Sequence, residues 1–284
     1  MTILILDHPA AALPPYRRWL SDSGDDLILV TGRAPDTIAA ADRDDYASIR
    51  HLAGYPVSTE VERTVLELAE WTGVSAIVAV AHTDLIRAGA LRDHLRLPGQ
   101  GRDSALVCAD LVAMRQRLTE WTIPVIPSGS VRRAVDLYWY AHRWGYPIRV
   151  RQRRAAGWPT VRVADNEAQL IGLTAGLFQA GFDSVPSLLL EPQIPGTRTR
   201  AVIAGTAAPL VSPAGEAVPP LALLTSATLA IPWGPGPGRA VSVVRGEDGS
   251  WLVDSVSAEL RDEEGRRQLV RSQAGLTHTL AASR

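Results

Sequence analysis

The first hundred residues alternate apolar runs with amphipathic stretches. Thr2 to Asp7 is apolar and β-branched and gives way to His8 and Pro9, which predicts a strand followed by a loop. Pro14 to Ser21 sets Tyr16, Trp19 and Leu20 at helical spacing, and Leu27 to Val30 ahead of Thr31-Gly32 reads as a second buried strand. From Glu60 to Trp71, Val61, Val65, Leu66, Leu68 and Ala69 fall on one helical face, with Gly73 as the stop. Ala76 to Val80 is a third continuous apolar run. Runs of this kind, separated by helices, predict parallel strands covered on both faces.

Beyond residue 98 the rhythm changes. A helix from about 104 to 119, with Ser104 as its N-cap, turns Leu106, Leu111, Met114 and Leu118 toward a core, and Cys108 sits on the same apolar side. Ile123–Val125 and Ile148–Val150 read as short strands flanking a helix over Arg132–Trp144. Val161–Val163, a helix over Glu167–Ala180 and the strand Leu188–Leu190 follow. After Gly196 the pattern is β-rich, with strands expected at Arg200–Ala204, Leu221–Ala230, Val241–Val244 and Trp251–Val256. Val211–Pro220 and Trp233–Gly238 are turn-rich, and Asp262–Leu280 reads as a polar helix. Trp121, Trp139 and Trp144 are expected to pack the central lobe. Trp158 and Trp233 fall in loops, where they could close a cleft or mark a partner surface.

Composition narrows the classes. A net charge of −1, with no basic tail, argues against nucleic acid or an anionic membrane as the main partner. No apolar run approaches a membrane span, and the start lacks a basic leader, so a cytoplasmic protein is expected. The single cysteine leaves no intrachain disulfide and suits a reducing compartment. All 29 cationic residues are arginine, which removes Schiff-base, lysine-base and lysine–phosphate chemistry. The six histidines show no metal-ligand spacing, and no nucleophile elbow or P-loop is present. Asp7-His8-Pro9-Ala10 after the first strand lacks the glycine fingerprint for a dinucleotide, although residues 1–98 otherwise read as a Rossmann-like α/β unit.

The run from Leu91 to Val163 carries the most information. It holds Leu97-Pro98-Gly99, Asp110-Leu111, Ile123-Pro124-Val125 and Gly145-Tyr146-Pro147-Ile148-Arg149-Val150-Arg151 in the order helix, Pro-Gly turn, helix, strand, strand. This order resembles the central part of the ATP-grasp superfamily, and the resemblance extends over roughly residues 70–260. Members of the carboxylate–amine ligase and carboxylase type join a carboxylate to an amine or thiol through an acyl phosphate. They use ATP and Mg²⁺ held between two α+β lobes behind an N-terminal α/β domain.

Position by position, the resemblance implies the following roles. The family's Asp-Lys pair becomes Asp110-Leu111, leaving Arg115 one turn on as the cation for phosphate. The second phosphate lysine becomes Arg151, which keeps charge and adds a bidentate fork. The glycine-rich flap becomes Ala155-Ala156-Gly157-Trp158-Pro159-Thr160, with one glycine and a proline that removes an N–H. Leu190-Glu191-Pro192-Gln193-Ile194-Pro195-Gly196 stands at the adenine-binding hinge, so Glu191 and the backbone of Ile194 are the nucleotide candidates, and Arg198 replaces an acid. For magnesium, Val241–Val244 has no acid. Aligning Asp254 with the family's glutamate puts Val256 at its asparagine, and the other register gives Ser255 and Ser257. Asp254 is the metal candidate, with Glu259 behind it. Arg149, Arg151 and Arg153, alternating on one strand, share a face and make a candidate site for a small-molecule anion.

The expectation is therefore an N-terminal Rossmann-like (pre-ATP-grasp) domain, residues 1–98, ahead of a reduced two-lobed ATP-grasp fold. Residues 99–190 would form the central helix and first lobe, and 191–284 the β-rich second lobe with a C-terminal helix. The expected function is that of a protein with an eroded nucleotide and metal site, acting as a binding or partner subunit in biosynthesis. The alternative is an active divergent ligase in which Arg115 and Arg151 clamp phosphates and Asp254 or Glu259 holds metal.

Overall fold

The computed structural model describes residues 1–9, 12–55, 58–177, 187–203, 210–211, 218–233, 238–258, 260 and 262–276. Within this set the chain separates into two compact units. One comprises the described parts of Met1–Leu106, Pro232–Gly238 and Ala258–Arg284, and the other those of Val107–Ile231 and Arg239–Ser257.

The first unit is built on β1 (Thr2–Asp7), α1 (Tyr16–Trp19), β2 (Asp26–Thr31), α2 (Ala40–Arg43), β3 (Ser48–His51), α3 (Glu60–Trp71), β4 (Val74–Ala79) and α4 (Leu85–Leu95). The strands form a parallel sheet in the order β3-β2-β1-β4, so the continuous apolar runs lie where both faces are covered. Tyr16, Trp19, Leu27, Leu29 and Val78 belong to one core cluster, and Leu4, Leu6, Val61, Val65 and Ile77 to another.

The second unit starts from α5 (Arg102–Ala109), which crosses the boundary, and α6 (Leu111–Glu120). It continues with β5 (Gly129–Val131), α7 (Ala134–Trp144), β6 (Ile148–Gln152), β7 (Thr160–Ala164), α8 (Glu167–Leu177) and β8 (Leu188–Pro192). Then come β9 (Gly196–Ile203), β10 (Leu210–Val211), α9 (Leu221–Ala230), β11 (Arg239–Gly246) and β12 (Trp251–Ala258). Two four-stranded sheets result, β5-β8-β6-β7 and β10-β9-β11-β12, and Gly196 begins β9 after the short link from β8. A side chain at Gly196 would collide with the Arg245 carbonyl, and its φ of +139° suits glycine alone, so the link has no freedom to take another residue. The last helix, α10 (Glu263–Gln273), returns to the first unit, where Val270 joins the Tyr16 and Trp19 cluster.

Several expectations are corrected. The 104–119 helix is two helices broken at Asp110, and Asp110 rather than Ser104 supplies the N-cap, accepting from Val112 N and Ala113 N at 3.0 and 3.2 Å. Ser104 lies inside α5 and donates to the Pro232 carbonyl. Ile123–Val125 is not a strand; Val125 makes a single parallel bridge to Val253 of β12, and the strand ahead of α7 is Gly129–Val131, at the edge of the β5-β8-β6-β7 sheet. Leu221–Ala230 is a helix, because Leu and Ala dominate it and Pro220 starts it, whereas an apolar run by itself has no readable period. Trp144 packs against the central core as expected, but Trp121 and Trp139 are exposed, whereas the loop residues Trp158 and Trp233 are buried. The ends of the expected 167–180 and 262–280 helices, Ala204 of the expected 200–204 strand and Glu259 lie outside the described residues. No helix among the described residues is long and apolar enough to cross a membrane.

The free edge of β4 is closed by side chains. Gln273 accepts from Ala79 N at 2.7 Å and donates back to Ala79 O at 3.0 Å. The Arg92 guanidinium, fully buried, donates to the Ile77 carbonyl from Nε and Nη2 and to the Gln100 carbonyl from Nη1. Burial without a carboxylate partner pulls its pKa down to about 10. Arg92→Ala is expected to lower unfolding stability by about 3 kcal/mol, because two buried carbonyls lose their donors and a cavity opens. Urea denaturation measures this, and a loss below about 1 kcal/mol would contradict the role.

Candidate functional site

In the second unit, α6, β6, β8 and β12 each direct one charged side chain to a common point. Arg115 Nη2 donates to Glu191 Oε2 and to Asp254 Oδ1, both at 2.8 Å, and its Nε donates to the Asp254 carbonyl at 3.1 Å. Arg151 Nη1 donates to Asp254 Oδ1 at 2.7 Å and reaches both Glu191 oxygens at 3.4 Å. Arg149 Nη1 meets Glu191 Oε1 at 3.3 Å, and Arg198 lies 3.6 Å from Asp254. The centre is almost dry: Arg115 is 2 % exposed, Arg151 5 %, Glu191 0 % and Asp254 6 %.

Strand geometry explains the convergence. On β6 the even positions Ile148 and Val150 are buried among the apolar core, so Arg149 and Arg151 fall on the other face. Glu191 is paired in register with Arg149 on the neighbouring β8. Arg198 follows the turn at Gly196.

Four guanidinium groups (Arg115, Arg149, Arg151 and Arg198) oppose two carboxylates (Glu191 and Asp254), an excess of two positive charges. Burial favours the neutral form of Asp254, but Arg151, Arg115 and Arg198 outweigh it and hold its pKa below the ordinary carboxylate range. For Arg149, burial and then the nearby Arg198 charge lower the pKa, and Glu191 only partly opposes them. Arg115 Nη1 is buried and has no acceptor among the described residues.

The flap region folds against the same arginine. Gly157 and Trp158 both take left-handed φ values, +70° and +46°, and the turn puts the Trp158 ring in the core. The Trp158 carbonyl then accepts from Arg151 Nε at 2.8 Å, so this turn presents an acceptor to the arginine. Its indole N–H donates to the Ala109 carbonyl at 3.4 Å. The base of the flap is tied to α6: Asp110 accepts from Arg153 Nε at 2.6 Å and Arg154 Nε at 2.7 Å, in addition to its two cap bonds. Although burial works against ionisation, the bonds from Arg153 and Arg154 keep the Asp110 carboxyl below its usual range.

The structure thus brings Arg115, Arg151, Glu191, Arg149 and Asp254 together. Arg153 is not among them. β6 ends at Gln152 with a register shift after Val150, and Arg153 leaves the Arg149–Arg151 face for Asp110 and Ser130. Ile194 is half-buried in the link between β8 and β9. Sequence reading placed Asp110 in the Asp-Lys pair and Trp158 in the flap but gave neither its bonding role. The signal for Asp110 was present, since an aspartate directly before an apolar helical repeat is a cap; nothing in the sequence marked the Trp158 carbonyl.

The buried carboxylates make acid the sensitive direction. Asp254 and Asp110 have folded pKa values below their unfolded ones, so their contribution is complete above about pH 4 and is lost as the pH falls through the folded values. The urea midpoint is expected to drop as the pH falls below about 4. Asp254→Asn is expected to cost about 3–5 kcal/mol at neutral pH, by leaving Arg115 and Arg151 facing an uncharged amide, and to flatten that acid slope. A variant with wild-type stability would remove Asp254 from the network.

No protein-family model matches the sequence, and no curated protein does. Solved structures do. An L-amino acid ligase from Bacillus licheniformis is 14 % identical with a TM-score of 0.67, over 96 % of this chain and 73 % of that one. An N5-carboxyaminoimidazole synthetase from Staphylococcus aureus, complexed with ADP, is 12 % identical with a TM-score of 0.67, over 98 % and 78 %. The biotin carboxylase domain of 2-oxoglutarate carboxylase from Hydrogenobacter thermophilus, in complex with MgADP and bicarbonate, is 14 % identical with a TM-score of 0.68, over 96 % and 69 %. Taken with the parallel N-terminal sheet and the two antiparallel-type sheets whose charged residues converge, these likenesses give the chain the fold of the ATP-grasp ligases.

Proposed function

We propose that this chain is an ATP-grasp protein whose nucleotide and metal site has been closed by its own ion pairs, and that it works as a binding or partner subunit in a cytoplasmic biosynthetic pathway. The observation that carries the reading is the buried pairing of Arg115 and Arg151 with Glu191 and Asp254. In the resemblance, the arginines stand where cations reach phosphate and Asp254 stands where magnesium is held. Here each satisfies the other.

The residues present do not fit a magnesium–triphosphate. Mg²⁺ asks for hard oxygen ligands in near-octahedral array, and the carboxylate at its position accepts from Arg115 and Arg151 and faces Arg198. A dication placed there would confront an excess of positive charge. The flap supplies a carbonyl and a proline where a phosphate cradle needs N–H donors. No catalytic step is therefore assigned through ATP or metal.

A small anion suits the site better. The excess of two positive charges, the half-buried Arg149 and the partnerless Arg115 Nη1 favour a carboxylate- or phosphate-bearing molecule as ligand, with Arg149 and Arg198 as its first contacts.

Thermal-shift titration tests both statements. ATP is expected to give no Mg²⁺-dependent rise, whereas a ligand at about 100 times its dissociation constant adds about 2.7 kcal/mol. A clear Mg²⁺-dependent rise would instead support an active divergent ligase joining a carboxylate to an amine or thiol. Inorganic phosphate is expected to stabilise the wild type and not Arg149→Ala; equal stabilisation of both would remove the anion site.

A further inference from the structure

Apart from the site in the second unit, the first unit holds a groove at the flank of its parallel sheet, where the edge strand β3 meets α3. Its volume is about 530 Å³, within the range of small-molecule sites. Strand register explains why the groove exists. Ser48 and Arg50 stand level with Ile28 and Val30 of β2, which belong to the core cluster that α3 covers with Val61 and Val65. Arg50 therefore lies on the α3 side of the sheet, where an apolar residue would extend that core. It is exposed instead, and the flank stays open. From α3, Thr64, Glu67, Leu68 and Trp71 line the groove at the i, i+3, i+4 and i+7 spacing of one helical face. Leu52 and Leu68, packed against the same core, give it an apolar floor.

The polar side chains of the groove are uncommitted. Arg50, His51 and Thr64 make no side-chain hydrogen bond or ion pair among the described residues. Glu67 accepts from Arg63 Nη1 at 2.7 Å through Oε1, and its Oε2 has no partner among the described residues. Trp71 is 86 % exposed, more than any other large apolar side chain described. These groups are also ordered in space. α3 joins the end of β3 to the start of β4, and the strands are parallel, so the helix runs against them. Thr64 thus lies at the His51 end of the groove, and Trp71 lies about 10 Å further along the helix axis. Donors stand at one end, a carboxylate in the middle and an aromatic face at the other.

We propose that this groove binds a nucleoside monophosphate. The phosphate meets Arg50, with the Thr64 hydroxyl and the His51 ring beside it. The ribose hydroxyls donate to Glu67, and the base stacks on Trp71. The sequence of groups selects this ligand class. An inorganic anion would use only the donor end, and an apolar molecule would leave Arg50 and Glu67 without a role. One guanidinium matches one phosphate, and because it supplies the neutralising charge, binding is expected without Mg²⁺.

Isothermal titration calorimetry of the full chain with AMP, in the absence of Mg²⁺, is expected to give saturable binding with a dissociation constant below about 1 mM. Arg50→Ala and Trp71→Ala are each expected to weaken it by about tenfold or more. Trp71→Phe keeps a ring and is expected to retain most of the affinity, and Glu67→Ala is expected to lose less than Arg50→Ala. Neither adenosine nor inorganic phosphate at equal concentration is expected to displace AMP. All the replaced side chains are exposed, and circular dichroism is expected to show that the variants remain folded. Absence of saturable AMP binding, equal binding by the Arg50→Ala and Trp71→Ala variants, or displacement by adenosine or phosphate alone would each overturn the proposal. AMP binding that is lost in Arg149→Ala and kept in Arg50→Ala would belong to the second unit and would overturn it too. Stabilisation by inorganic phosphate that depends on Arg149 reports on that other site alone, so the two readings fail separately.

Discussion

Glu191 and Asp254 are the pivot of the second unit. Each carboxylate sits in a nearly dry space, and Arg115 and Arg151 lie against both. The dependence runs in the other direction too, because a buried guanidinium without an acid is at least as costly. Four elements are therefore bound to one another by charge: α6 through Arg115, β6 through Arg151, β8 through Glu191 and β12 through Asp254. Such a network contributes less net stability than an apolar core of the same volume, since desolvation consumes most of the Coulomb gain. What it secures is the placement of two sheets against each other within the unit, which no apolar contact would specify so narrowly.

A second set of bonds holds the flap in place. Asp110 caps α6 with one oxygen and takes Arg153 and Arg154 with the pair, while the Trp158 ring fills the core beneath. This segment is fastened at both its base and its tip. The absence of lysine is consistent with this arrangement. Guanidinium groups are planar and weakly hydrated, so they tolerate burial between carboxylates and carbonyls better than ammonium groups.

Seen beside the structures it resembles, the chain keeps the frame. Coverage above 95 % of the chain at 10–15 % identity means that the fold has been maintained by apolar patterning and sheet register. A second polar cluster lies beyond the C-terminal ends of β1 and β4 in the first unit. Asp7 is bonded by Thr31 and Arg33, and Asp84 by Tyr55 and Arg87, so each buried acid has its own local partners. Burial still raises the Asp84 pKa against the pull of Arg87.

The sequence by itself determined the parallel N-terminal sheet, because continuous apolar runs of strand length between amphipathic helices have few other solutions. It also singled out Arg115, Arg151, Glu191 and Asp254, the four residues that the fold brings to one point. It misread the helix at Leu221–Ala230 as a strand, where an apolar run has no period, and it misplaced Trp121, Trp139, Trp158 and Trp233, since an aromatic residue is exposed or buried according to what lies beneath it. Only the tertiary structure decided what the charged residues do. Arg115 and Asp254 are 139 positions apart, and whether each faces a ligand or the other depends on how two sheets stack. Charge identity is local and legible, whereas charge pairing is set by distances of a few ångströms that sequence order does not encode.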